Sequence, residues 1–261
     1  MASNQNKNQS RSLLAFRWLS ILILVFRGVL TLCFLFPLLS SEKKNREIKK
    51  WSNALLKKLN VRLEVDGIKN IPVTPFLLVS NHISWLDIQL LNAYKPISFV
   101  AKSEVARWPI FGWMAKQLGT VFIKRDNYRH GKHVANEVAK VLETQSVCIF
   151  PEGTSTIGEV VLPFKPNLFE SAVIAGVPVY SLAISYWSSA SGERSDVAAF
   201  VGEMGLLESM AKILNDRQLI VELTFLPPSG GHPEASRDRK WLALHSQEAI
   251  SNYLNGHQPL M

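Results

Sequence analysis

FLLVSNHISWLDIQLLNA, residues 76–93, runs from an apolar segment through a short polar turn into a helical pattern. Phe76–Ser80 has the length and apolarity of a buried strand, and Ile88–Ala93 reads as the body of a helix. A strand that hands polar residues to a following helix is the building unit of α/β folds. The same alternation extends outward in both directions. Further strands are predicted at Arg62–Val65, Ile97–Ala101, Thr120–Lys124, Val147–Phe150, Val179–Ser185 and Leu219–Phe225. Helical patterns lie between and after them, at Val105–Leu118, Tyr128–Thr144, Asn167–Ala175, Met204–Asn215 and Ala235–Tyr253. The expectation is an α/β fold: a mixed, mostly parallel sheet flanked by helices, preceded by an N-terminal hydrophobic membrane helix. Ser188–Asp196 (SSASGERSD) is polar and contains glycine, which predicts a mobile loop. No internal repeat or low-complexity tract divides the chain. The predicted division is an anchor and basic amphipathic helix over residues 1–60 and one domain over residues 61–261.

The 261 residues are 47% apolar and 19% charged, which suits one sizeable core and excludes a disordered chain. Cys33 and Cys148 have no ligand spacing, so neither a disulfide framework nor a structural zinc is expected. The net charge is +8, and its distribution is uneven. Residues 1–60 hold eleven Lys/Arg against Glu42 and Glu47, whereas residues 61–261 hold eighteen against nineteen acidic residues. The basic excess therefore brackets the most apolar stretch instead of covering the folded body. That points to anionic lipid, and no nucleic-acid partner is expected.

That stretch, LLAFRWLSILILVFRGVLTLCFLFPLL (13–39), is interrupted by Arg17 and Arg27. Arg27 divides it into pieces shorter than a clean span, and Pro37 is expected to kink or end the helix. A tilted span and a helix lying in one leaflet both remain open. Lys7, Arg11 and Arg17 precede the run, and seven Lys/Arg from Lys43 to Lys58 follow it, which places the body on the cytoplasmic side of the cell membrane. Glu42–Asn60 reads as a basic amphipathic helix with Ile48, Trp51, Leu55 and Leu59 on one face. That face serves either a membrane surface or packing on the body.

In an α/β fold the loop at the carboxyl end of a strand is where catalytic groups collect. His82 leaves such a strand, and Asp87, in the first turn of the next helix, can fold back onto its imidazole. An Asp on one ring nitrogen fixes the tautomer and frees the other nitrogen to take a proton. This is the His/Asp part of a triad without its serine; if no enzyme nucleophile is needed, the hydroxyl that His82 activates belongs to a substrate. On spacing alone a turn-capping pair is the plainer reading. HxxxxD supplies too few ligands for a metal, and His130 and His133 read as a solvated helix face, so no metal or cofactor is expected. A second loop, Phe150-Pro151-Glu152-Gly153-Thr154-Ser155, also follows an apolar strand. Pro151 ends the strand and Gly153 permits a positive φ, which allows either an anion-binding nest of N–H groups or a plain turn.

Asn81-His82-Ile83-Ser84-Trp85-Leu86-Asp87 resembles the NHxSxxD motif, and Phe150-Pro151-Glu152-Gly153-Thr154 the FPEGT motif, of the glycerolipid acyltransferases typified by 1-acylglycerol-3-phosphate acyltransferase. Lys102, Glu104, Pro109 and Gly112 are similar to the family's KxE…PxxG block. Gly119–Arg125 resembles GxxFIxR, and Val177-Pro178-Val179 the late VPV block. The likeness covers about residues 60–230. It implies that His82 deprotonates the free hydroxyl of a lysophospholipid acceptor while Asp87 holds the imidazole. Acyl-CoA or acyl-carrier protein is then the co-substrate, with no acyl-enzyme intermediate. It assigns Glu152, Gly153, Thr154 and Arg125 to acceptor binding, and Asn81, Ser84 and Lys102 to substrate binding. Out of that context, Arg125 reads as a surface partner of Asp126.

Two departures bear on the acceptor. Phosphatidic-acid-forming members commonly continue FPEGT with Arg, where this chain has Ser155-Thr156, and Ser181 stands where a second proline is frequent. One phosphate contact is thereby lost, so lyso-ornithine lipid or another lysophospholipid is an alternative acceptor. Lys165 either restores the charge or is solvated. Trp108, Phe111, Trp113 and Met114 either line a groove for the donor chain or belong to the core. Two other classes compete: a non-catalytic lipid-binding membrane protein, and a serine lipid hydrolase, for which GxSxG is missing.

Overall fold

The structure is a computed structural model that describes residues 11–71, 75–123, 128–216, 218–227 and 238–259. All seven expected strands form: β1 (Val61–Asp66), β2 (Leu77–Ser80), β3 (Ser98–Lys102), β4 (Val121–Ile123), β5 (Val147–Ile149), β6 (Val179–Ser188) and β7 (Leu219–Phe225). They lie in the order β1-β7-β6-β2-β5-β3-β4, and every neighbouring pair is parallel except β6 with β7. β2 and β5 are buried at every position, as expected for continuously apolar strands covered on both faces. Side chains alternate across the sheet. Leu78, Cys148, Leu182 and Ile184 face a layer made by α1 (Arg11–Leu30), α2 (Ser41–Leu59), α3 (Leu86–Tyr94) and α7 (Leu206–Asn215). Leu77, Val79, Val147 and Ile149 face α5 (Tyr128–Leu142), α6 (Glu170–Ala175) and α8 (Arg239–Gly256).

The registers Leu77↔Val147 and Val79↔Ile149 end β2 and β5 at the same level. The two loops that the sequence singled out therefore emerge side by side at the carboxyl edge of the sheet. β6, β2's other neighbour, overshoots this edge: Ser80 pairs with Leu182, and the strand continues to Ser188 alongside β7. Six residues of β6 thus stand beyond the β2 ladder and wall the loop that follows it.

Three local expectations change. The single helix expected over Val105–Leu118 is split into a 3-10 turn at Val105–Arg107 and α4 (Phe111–Gln117). Pro109 lies at the break, and Ile110 takes φ +63°, so the helical ladder cannot run through. Ser188–Asp196 is no loose loop: Ser188 N–H donates to Glu193 O, Ser195 N–H to Tyr186 O, and Trp187 bridges Arg194. Arg194 also lies over the Trp187 ring and donates to Leu254 O, which ties the turn to α8. Finally, the apolar stripe of α2 packs inward. Leu55, Leu56 and Leu59 are buried in the core, and Trp51 Nε1 donates to Leu24 O of α1, while the basic residues face out.

Ser12–Leu38 is helical throughout and is apolar and long enough to cross a membrane. Pro37 sits in its last 3-10 turn, after which Leu39 is extended. The helix lies along the body. Arg17 Nη1 donates to Leu214 O and so caps the carboxyl end of α7, which accounts for a charge inside an apolar run. Ile21, Leu24 and Leu32 are buried, and Gly28 lets the helix approach Trp51, since a Cβ there would meet Nε1 at 2.6 Å. The opposite side exposes Phe16, Leu19, Leu22, Ile23, Phe26, Phe34 and Leu38.

Candidate active site

Asp87 opens α3 and is completely buried. Its Oδ2 accepts from the backbone N–H of Ile83 and Ser84, at 2.9 and 3.0 Å, and lies 2.8 Å from His82 Nδ1. The loop between strand and helix is thus wrapped around one carboxylate oxygen. That oxygen also orients the imidazole with Nδ1 carrying its proton toward Asp87. His82 keeps 21% of its side-chain surface exposed, and its Nε2 has no hydrogen-bond partner among the described residues. The Phe150 ring stacks on the imidazole at 4.1 Å. The expected contact between His82 and Asp87 is present, and an imidazole held in this way can take a proton on its second nitrogen.

Tyr186, on the overshoot of β6, donates its hydroxyl to Asp87 Oδ1 at 2.6 Å. Burial, and then the Asp87 charge, push this phenol well above its ordinary value, so it remains a donor. No motif announced it: the two residues are 99 positions apart, and Tyr186 lies in an apolar run that reads as core.

The second loop is fastened to the first by Glu152. Its Oε1 accepts the His82 N–H at 2.7 Å and its Oε2 the Leu162 N–H at 2.9 Å, and the residue is 2% exposed. Burial pushes the Glu152 carboxyl up, against the pull of these two bonds. Thr156 N–H donates to His82 O in return. Asn81 is likewise buried, giving Nδ2 to Ile184 O and taking Ile184 N–H on Oδ1, both at 2.9 Å. Ser84 is buried with its hydroxyl accepting Leu86 N–H. The polar atoms of Asn81, Ser84 and Glu152 are therefore spent on holding the loops.

Gly153 adopts φ +72° as expected, and its N–H closes a turn on Phe150 O. With Thr156 N–H also engaged, the N–H groups of Thr154 and Ser155 are those with no bond among the described residues, beside the exposed Thr154 side chain. The Ser155 hydroxyl donates to Phe200 O. Lys102 ends β3, and Lys165 is exposed, its N–H bonded to Pro151 O. Arg125 and its neighbour Asp126 lie outside the described residues. So do the side chains of His130 and His133. Among the described residues no His/Cys/Asp/Glu group could hold a metal. Cys148, beneath the site on β5, is fully buried, and burial pushes its thiol well up, so it does not serve as a nucleophile.

A cavity of about 400 Å³ lies between α1, α2, α3 and the α4 segment. Leu24, Leu32, Trp51, Ile88, Phe111 and Met114 supply much of its apolar lining. Trp108 also faces it, so three of the four residues weighed between core and groove line a space, while Trp113 is partly exposed at the surface. Phe99 is on the wall, and it stacks on Phe150, which stacks on His82, so two rings separate the cavity from the base.

The acyltransferase family profile matches residues 62–185. The chain is 36% identical over 207 residues to the lyso-ornithine lipid O-acyltransferase of Pseudomonas aeruginosa, covering 79% of this chain and 77% of that protein. It is 34% identical over 186 residues to the 1-acyl-sn-glycerol-3-phosphate acyltransferase of Neisseria meningitidis, covering 71% and 72%. The fold is similar to that of the 1-acyl-sn-glycerophosphate acyltransferase PlsC of Thermotoga maritima, with a TM-score of 0.63 at 22% identity over 95% and 96% of the two chains.

Proposed function

The chain belongs to the glycerolipid acyltransferase family, and on that premise we propose that it moves a fatty acyl group from a cytoplasmic thioester to the free hydroxyl of a lysolipid. The observation that carries this reading is the His82 imidazole, pinned at Nδ1 by a buried carboxylate with Nε2 uncommitted. Nε2 takes the acceptor's hydroxyl proton as the oxygen attacks the thioester carbonyl, forming the new C–O bond. Collapse of the tetrahedral intermediate breaks the C–S bond. The imidazolium returns its proton to the departing thiolate, so ester and free thiol are the products and the enzyme is regenerated. The Thr154 and Ser155 N–H groups, without a bond among the described residues, meet the developing negative charge or an acceptor oxygen in this reading.

For the acceptor, 1-acylglycerol-3-phosphate giving phosphatidic acid is the first reading, in line with the neisserial relative. A specific observation favours lyso-ornithine lipid as the second: Ser155 stands where an Arg would grip phosphate, and its hydroxyl is turned to Phe200 O. Acyl-CoA or acyl-carrier protein supplies the acyl group. The cavity beside Phe99, within the ordinary size range of small-molecule sites, takes an acyl chain.

The exposed apolar side of α1 gives the enzyme its place on the membrane. The helix is fastened to the body at Arg17, Leu24 and Gly28, which supports a helix lying in one leaflet beside the body over a free-standing span. The outward Lys/Arg of α2 meet anionic headgroups. A lysolipid then reaches the site without its chain entering water, a cost of about 0.8 kcal/mol per CH₂.

The test is acyl transfer by membranes carrying wild-type or His82→Ala protein. Lysophosphatidic acid and lyso-ornithine lipid are offered separately, each with acyl-CoA and with acyl-carrier protein. Transfer to either that disappears in the variant supports the reaction and the base. The preferred acceptor decides between the two readings. Turnover retained in His82→Ala would sink the mechanism.

A further inference from the structure

We propose that Tyr186 is a positioning residue of acyl transfer: by holding Asp87 Oδ1 it sets the orientation of the carboxylate and, through it, the proton affinity of His82. The proposal rests on the reading of His82 as the base. Its structural ground is the division of labour between the two oxygens of Asp87. Oδ2 serves three groups of its own loop, namely His82 Nδ1, Ile83 N–H and Ser84 N–H. Oδ1 has one partner among the described residues, the Tyr186 hydroxyl, at 2.6 Å in a site where both side chains are buried. Without that donor, a carboxylate oxygen would be left bare in a low-dielectric interior, and nothing from outside the loop would fix the plane of the carboxylate.

The placement follows from topology. Asn81 straps the loop to Ile184 by two hydrogen bonds, and two residues further along β6 the next side chain on the same face is Tyr186. The loop's register on β6 and the tyrosine's reach to Asp87 are therefore fixed together. The phenol is a good choice for a permanent donor. Burial and the Asp87 charge hold its proton on, and a side-chain bond from Ser84 is a smaller contribution in the other direction.

A hydrogen bond to a carboxylate draws charge away from it. Loss of the Tyr186 hydroxyl makes Asp87 a stronger attractor of the imidazolium, so His82 holds its proton to higher pH and is a poorer base at neutrality. Other titratable groups facing the pair are Glu152 from the second loop and the Cys148 thiol from β5, and both remain in place in a variant at 186.

The experiment compares wild type with Tyr186→Phe, which keeps the ring and its packing, using the acceptor that the wild type prefers. The expected result is a fall in kcat of roughly tenfold, the loss of one strong hydrogen bond, with KM for the acceptor unchanged and the acidic limb of the pH–rate profile moved upward. The His82 imidazole is titrated by NMR in both proteins without substrate, and its midpoint is expected to rise in the variant. An unchanged midpoint and profile, with or without a loss of thermal stability, would show that the hydroxyl only fills a core position and would overturn the proposal. A change in KM alone would also overturn it. The NMR arm stands even if no acceptor is turned over, so failure of the functional reading and failure of the Tyr186 role give different results.

Discussion

Among the described residues are two histidine–carboxylate pairs, served by adjacent residues of the same strand. On one face of β6, Tyr186 donates to Asp87, which holds His82 at 2.8 Å. On the other face, Ser185 and Trp187 donate to Glu222, which lies 2.6 Å from His257 Nε2. The pairs are alike in chemistry and opposite in setting. Asp87 sits in the first turn of α3, beyond the strand ends, held by backbone N–H groups of the preceding loop, and its imidazole partner is 21% exposed beside the second loop. Glu222 sits within β7, 1% exposed, and the His257 ring is stacked on Tyr253 and flanked edge-on by Trp187 at the end of α8. The difference teaches that a His–carboxylate pair does not by itself make a base. What separates them is setting and exposure: the His82 imidazole opens beside a second loop, and the enclosed pair fastens α8 to the sheet.

Breaking the two pairs should therefore have different consequences. Asp87→Asn removes the charge that orients and stabilises the imidazolium, and kcat is expected to fall by about 10³-fold or more, as for other His–Asp pairs, with a modest change in melting temperature. An activity assay beside a thermal melt checks both halves. Glu222→Gln should do the reverse. Breaking a buried pair costs about 3 kcal/mol, or roughly 6–12 °C in Tm for a chain of this size, while kcat per folded molecule stays near wild type. If Glu222→Gln lost activity without losing stability, the contrast between the pairs would be wrong.

Glu152 sharpens the contrast, since it is a third buried carboxylate and touches the first pair through the His82 backbone. Glu152→Gln keeps one acceptor and puts an N–H₂ against a backbone donor, at an expected cost of about 1–3 kcal/mol. It also carries a pH signature. Burial raises the folded-state value above that of the unfolded chain, so the folded protein binds the proton more tightly. Stability attributed to this group is then full below the ordinary carboxylate value and declines as pH rises through the window up to the raised one. Melting curves across that window should show a slope in wild type that Glu152→Gln flattens.

Much of this was legible in the residues. Strand positions followed from apolar runs such as 77–79 and 147–149, because a strand covered on both faces has no polar alternative. The His82–Asp87 contact was legible because five residues of loop and first helical turn are enough to close it. The bends of the chain were harder. Ile110 at φ +63° and the tied turn over 188–196 depend on what packs around them, and local propensity does not record that. The α2 stripe, Trp51 and Leu55 included, is equally suited to lipid and to protein, and only the presence of α1 and α3 beside it decides which it meets.

The sequence by itself determined the fold class, the two loops and the contact between His82 and Asp87, because each rests on short-range pattern: periodicity, a turn, a pair of residues five apart. Only the tertiary structure decided that β2 and β5 are neighbours, that Tyr186 closes the carboxylate from 99 residues away, that Glu152 joins the loops, and that α1 lies on the body with one apolar side free. Those are long-range pairings. Their partners are chosen by sheet order and by the pairing of buried polar atoms, and neither is visible until the chain is folded.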